Sequence, residues 1–129
     1  MKLDHDLVRH ILLAIESNEN ISGPDGKELL ASVSKRGYVN LDEIAYSITK
    51  LKEANYITGK ASWGDNMPTE IIPGNLTFEG HQFLDNIRDD SVWKDTKKVL
   101  SKFSSVSLTF VSSVASSVIT QLIKQQIGI

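Results

Sequence analysis

The spacing of apolar residues changes period once along this chain, and that change restricts the fold more than any other feature. Up to Ala54 the apolar residues recur at helical intervals, first as Leu3, Leu7, Val8, Ile11, Leu12 and Ile15, and later as Leu41, Ile44, Ala45, Ile48 and Leu51. Each set marks one face of an amphipathic helix. A shorter helix between them runs through Lys27, Leu29, Leu30 and Val33 and stops near Gly37. The turn formers Ser17-Asn18-Glu19-Asn20 and Ser22-Gly23-Pro24-Asp25-Gly26 separate it from the first helix. Asn40 is placed to cap the third helix, with Asp42 and Glu43 in its first turn.

After Ala54 the pattern becomes that of a hairpin. Asn55-Tyr56-Ile57-Thr58-Gly59-Lys60 is expected as one strand, Glu70-Ile71-Ile72-Pro73 as its partner, and residues 61–68 as the loop tip. A fourth helix opens at Leu76-Thr77-Phe78-Glu79-Gly80, with Thr77 as cap and Phe83, Leu84 and Ile87 as its packing face. The expectation is a mainly α chain with a small β-hairpin: a winged helix-turn-helix at residues 1–90, then a helical C-terminal extension at 91–129. In that order of elements the third helix is the one that can enter a DNA major groove.

Composition limits the chemistry. The 129 residues include no cysteine, which removes disulfides and thiolate catalysis and fits a reducing, cytoplasmic setting. Met1-Lys2-Leu3-Asp4-His5-Asp6 turns acidic at once, unlike a signal peptide. Net charge is −2, whereas phosphate neutralisation calls for a basic surface. The charges are unevenly placed: residues 61–90 hold 1 basic and 6 acidic side chains, and residues 91–129 hold 5 and 1. Lys94, Lys97, Lys98 and Lys102 supply most of that basic end and suit a solvated helix face.

No constellation of a known active site assembles. His5 and His10 are five residues apart, on different faces of a helix, and fit no metal site. His81 beside Glu79 or Asp85 could serve as acid, base or ligand, but its position suits a structural role as well. Asp85, Arg88, Asp89 and Asp90 lack a partnering nucleophile and read as helix-end ion pairs and caps. Gly23-Pro24-Asp25-Gly26 is a turn and no phosphate loop. The expectation is a non-enzymatic protein without metal, cofactor or small-molecule substrate.

Two binding surfaces are legible. For DNA the candidates are Tyr46, Ser47, Lys50 and Lys52 on the third helix and Lys60 and Trp63 on the wing, though Asp42, Glu43 and Glu53 leave that helix slightly acidic and without arginine. The other surface is near the end. Phe103 to Ile123 is 21 residues without a charge, 11 of them apolar and 10 of them Ser, Thr or Gln. Val111, Val114, Ala115, Val118, Ile119, Leu122 and Ile123 form one helical stripe, opposite Ser112, Ser113, Ser116, Ser117 and Thr120. Ten polar residues count against a membrane span, and the stripe suits a helical partner or a homo-oligomer instead. Action of this helix on a membrane is the minor alternative.

The run from Leu76 to Trp93, with Met1-Lys2-Leu3-Asp4, Val8-Arg9-His10-Ile11-Leu12-Leu13, Tyr46 and Leu51-Lys52-Glu53-Ala54, resembles an uncharacterised bacterial and phage family. That family is a domain of unknown function similar to the YjcQ winged-helix proteins. The resemblance spans nearly the whole chain and implies the winged-helix core and a phage or prophage setting; it implies no activity. Asn55 departs from it, standing where related winged helices place a glycine before the first strand.

Overall fold

The computed structural model describes residues 1–128. The elements are α1 (His5–Ser17), α2 (Gly26–Ser34), α3 (Leu41–Glu53), β1 (Lys60–Gly64), β2 (Met67–Ile72), α4 (Phe78–Ile87), α5 (Asp90–Leu100) and α6 (Leu108–Ile127). The chain is mainly helical with one antiparallel hairpin, in a winged-helix-like order. It divides into two compact units, Met1–His81 and the remainder from Gln82 onward, with the division inside α4.

In the first unit, α1 packs on α2 and α3, and α3 packs on the hairpin. The core is the predicted apolar set: Leu7, Ile11, Leu12 and Ile15 of α1, Leu29 and Val33 of α2, and Ile44, Ala45, Ile48 and Leu51 of α3 are at most 1% exposed. Leu41 is a correction, since at 48% exposure it stands off the α3 stripe. Each helix start has a side chain that accepts from otherwise unpaired N–H groups. Asp4 accepts from Leu7 N, Asp25 and Glu28 form a reciprocal capping box, and Asn40 accepts from Asp42 N and Glu43 N. Thr77 Oγ1 accepts from Gly80 N at 3.0 Å, as expected of the α4 cap.

The end of α3 explains why the hairpin differs from expectation. Tyr56 N donates to Leu51 O at 2.9 Å and Asn55 N to Lys52 O at 3.0 Å, the paired bonds of a Schellman motif. Asn55 sits at φ 62 and takes the left-handed position that glycine usually fills. Residues 55–57 are therefore used in ending the helix, and Ile57 makes only a single bridge to Leu76. The strand begins at Lys60, and the expected loop tip is mostly strand. Asp65 and Asn66, at φ 51 and 64, make a two-residue turn whose twist matches the strands it joins. The register runs from Lys60↔Ile72 to Gly64↔Met67, with an irregularity at Ser62/Trp63 where Pro68 comes opposite Trp63. A proline has no N–H to give a ladder, so a bulge is where it can be held.

The second unit is built on the packing of α5 against α6. Asp89 caps α5 by accepting from Ser91 N and Val92 N, and Ser107 caps α6 by accepting from Phe110 N. Trp93 is buried at 4% exposure, whereas Val99 is 37% exposed. Residues 101–107 form no helix, so the uncharged run is helical only from Leu108. Asn86 Nδ2 donates to Ser112 Oγ at 2.9 Å, tying the end of α4 to the start of α6.

Candidate functional site

The apolar stripe of α6 is covered along its first half and open along its second. Val111 and Ala115 are fully buried, Val114, Val118 and Ile119 are partly so, and Leu122 and Ile123 are exposed. Every residue from Gln121 to Gly128 is exposed, including Ile127 at 62%. Lengths account for this. At about 1.5 Å per residue, the 11 residues of α5 reach only part-way along the 20 residues of α6. Where α5 begins, Val92 and Asp89 meet Ile119, Leu122, Ile123 and Ile127 around a groove of about 360 Å³. The seven predicted stripe residues thus separate into an internal seam and an open end.

The DNA candidates are less coherent. Ser47 is the clearest correction: it is 2% exposed, and its hydroxyl donates to Glu43 O at 2.8 Å, so it does not face outward. Lys50 Nζ lies 2.9 Å from Glu53 Oε2 and 5.4 Å from the centre of the Tyr46 ring. The hydrogen bond to Glu53 holds the ammonium group above its ordinary pKa. Lys52 Nζ is 3.5 Å from the Thr58 carbonyl. Lys60 and Trp63 are exposed on β1. The charge of Lys50 is therefore answered on its own helix by Glu53.

The ionisable groups do not converge on a reaction centre. His81 Nδ1 stands 3.8 Å from Glu16 Oε2 of α1, Asp85 pairs with Arg88 at 2.8 Å, and Asp89 is occupied as a cap. The His10 and Tyr38 rings are 5.8 Å apart, a contact that the sequence reading missed because a loop residue and a helix residue carry it. Burial pushes the Tyr38 hydroxyl up to about 12, reinforced by Asp4, Asp6 and Glu43. Burial also holds His10 below its ordinary value, as do Arg36 and Arg9. A second groove, of about 580 Å³, is lined by the apolar Leu30, Leu41 and Ile71 together with the charged Asp25, Lys27 and Glu70. Its charges are of mixed sign. Among the described residues no group of three His, Asp or Glu side chains could hold a metal ion, and no helix is long and apolar enough to cross a membrane.

The fold and these surfaces define a small helix-rich protein with a hairpin and an open amphipathic helix. More particularly, the chain belongs to the family described as "Hypothetical protein (DUF2513)", which matches residues 2–107. An uncharacterized protein of Haemophilus influenzae is 31% identical over 126 residues, covering 95% of this chain and 99% of the relative. No solved structure matches the chain.

Proposed function

We propose that this chain is a non-enzymatic winged-helix protein of the YjcQ-like, phage or prophage kind that works as an interaction or oligomerisation module through the end of α6. The observation that carries the reading is the exposure of Leu122, Ile123 and Ile127 at 38%, 54% and 62%, on a helix whose earlier turns are packed. Together these amount to roughly one and a half aliphatic side chains left in water, and burying them is worth about 2–5 kcal/mol before the cost of association. That is a contribution to holding a partner, which must add contacts of its own to offset association, and it is too little to disturb the fold. The test is a photo-reactive amino acid in place of Ile123, expressed in the native host. Crosslinking at position 123, absent when the same group replaces the solvated Ser113, supports the reading; equal silence at both positions refutes it.

DNA binding is the second reading, favoured by the exposure of Lys60 and Trp63 on a hairpin packed against α3. Retardation of duplex that weakens with salt and is lost in a Lys52→Glu, Lys60→Glu variant would support it. No retardation at low salt would remove it.

A further inference from the structure

The α5–α6 pair has a second exposed surface, at the end away from Leu122 and Ile123. Val92, near the start of α5, shares a groove with Ile119 and Ile127, so the two helices run antiparallel and residues 101–107 join them at the opposite end. The turn of α5 continues briefly past Leu100: Lys102 N donates to Val99 O at 3.1 Å and Phe103 N to Leu100 O at 3.0 Å. Phe103 then meets Phe110, in the first turn of α6, edge-on with ring centres 5.3 Å apart. Both rings still face water, at 51% and 36% exposure, and Val99, one turn before Phe103, is 37% exposed.

Charge decides what such a tip can meet. Lys98 and Lys102 are exposed and one turn apart, each next in sequence to one of the exposed apolar residues Val99 and Phe103. Asp95 approaches Lys98 at 3.9 Å, an exposed pair that water weakens. From Thr96 to the last residue the sequence has no acidic side chain. The joining segment adds only hydroxyls, from Ser101, Ser104, Ser105 and Ser107, to the charge of Lys102. Rings, ammonium groups and small hydroxyls at one end of a helix pair match the layers of an anionic bilayer surface. There the rings enter the acyl boundary, the lysines stay among the phosphates, and a fluid surface needs no preformed pocket to receive them. We infer that the α5–α6 tip docks on an anionic lipid surface through Phe103 and Phe110, with Lys98 and Lys102 at the headgroups. The contact is shallow and spans nothing. It is separate from the open end of α6, since Leu122 lies roughly 18 Å along the helix from Phe110 at 1.5 Å per residue.

The test is co-sedimentation of the full chain with vesicles of phosphatidylglycerol and phosphatidylcholine in equal parts, beside phosphatidylcholine alone. The expected result is binding to the anionic vesicles only, weakening as salt is added. Lys102→Gln, at an exposed position that leaves the packing untouched, should lower the partition coefficient about fivefold. Phe103→Ser should lower it by about fivefold to tenfold, and Ile123→Ser should leave it unchanged. No binding to anionic vesicles at low salt overturns the inference, as does equal binding to phosphatidylcholine alone. A loss caused by Ile123→Ser but not by Phe103→Ser overturns it too, as does retardation of single-stranded DNA by a chain that ignores the vesicles. Crosslinking at position 123 is read independently, so either surface can fail while the other stands.

Discussion

Replacing Gly80 by alanine sets two effects of known sign against each other. Gly80 lies in the first turn of α4, where alanine is favoured over glycine by about 1 kcal/mol. A Cβ there would overlap the Tyr56 carbonyl oxygen and lie 2.9 Å from its carbon. That obstacle is backbone held from both sides: Tyr56 N donates to Leu51 O at 2.9 Å, and Tyr56 O accepts from Thr77 N at 3.0 Å. Relief therefore requires α4 to move, at about 1–3 kcal/mol for overpacking, and strains or breaks the Thr77 bond at about 0.5–1.5 kcal/mol more. The penalties exceed the propensity gain, leaving a net loss of about 2 kcal/mol. With a urea slope of about 2 kcal/mol/M, the unfolding midpoint should fall by about 1 M. Glu79→Ala, at the exposed neighbouring position, should change the stability by less than about 0.5 kcal/mol. A Gly80→Ala midpoint equal to or above wild type would show that the close approach of α4 to Tyr56 is not a constraint.

Other perturbations follow from the same contacts. Thr77→Val keeps the shape but loses the bond from Gly80 N and the one that Thr77 Oγ1 donates to Asn55 O, so urea unfolding should register a loss of about 1–3 kcal/mol, largely restored by Thr77→Ser. Asn66→Val forces a β-branched residue into the left-handed region and should cost about 1–2 kcal/mol, whereas Asn66→Gly should not destabilise the protein. The Tyr38 hydroxyl is raised from 10.0 to about 12, so the folded state favours its neutral form: its contribution is complete below pH 10 and is lost as pH rises to 12. Tyr38→Phe should flatten the alkaline fall in melting temperature over that interval. His10 is lowered from 6.5, so its neutral form is favoured in the fold, and its contribution is present above pH 6.5 and declines on acidification. A melting temperature that rises between pH 6.5 and 5 in wild type but not in His10→Asn would contradict this sign.

Helix existence was legible wherever a stripe and a cap agreed. Asn40 and Thr77 announce α3 and α4 because their side chains do the same work in any helix of this kind. The strand start was not legible, because Tyr56 and Ile57 suit a strand equally well by residue type. What decides is that Asn55 turns left-handed and sends Tyr56 N back to Leu51. Ser47 was misread for a similar reason: a serine that bonds to the carbonyl four residues back can be buried at low cost, which its polarity conceals. On α6 the seven-residue stripe was visible as a face. Its division into covered and open halves was not, since that depends on where α5 begins and how residues 101–107 return the chain.

α6 is assembled from residues that favour helix only weakly, chiefly Val, Ile, Ser and Thr. Thr120 Oγ1 even bonds back to Ser116 O, a habit that competes with regular helix geometry. Up to Thr120 its order is supplied by what lies against it, whereas from Gln121 onward the better helix formers Gln121, Leu122, Lys124, Gln125 and Gln126 continue the helix with every residue exposed. Backbone amides of the last two turns should exchange with solvent quickly in dilute protein and slowly when something fills the groove. Those few amides are a built-in gauge of occupancy, readable by deuterium uptake before any occupant has been isolated.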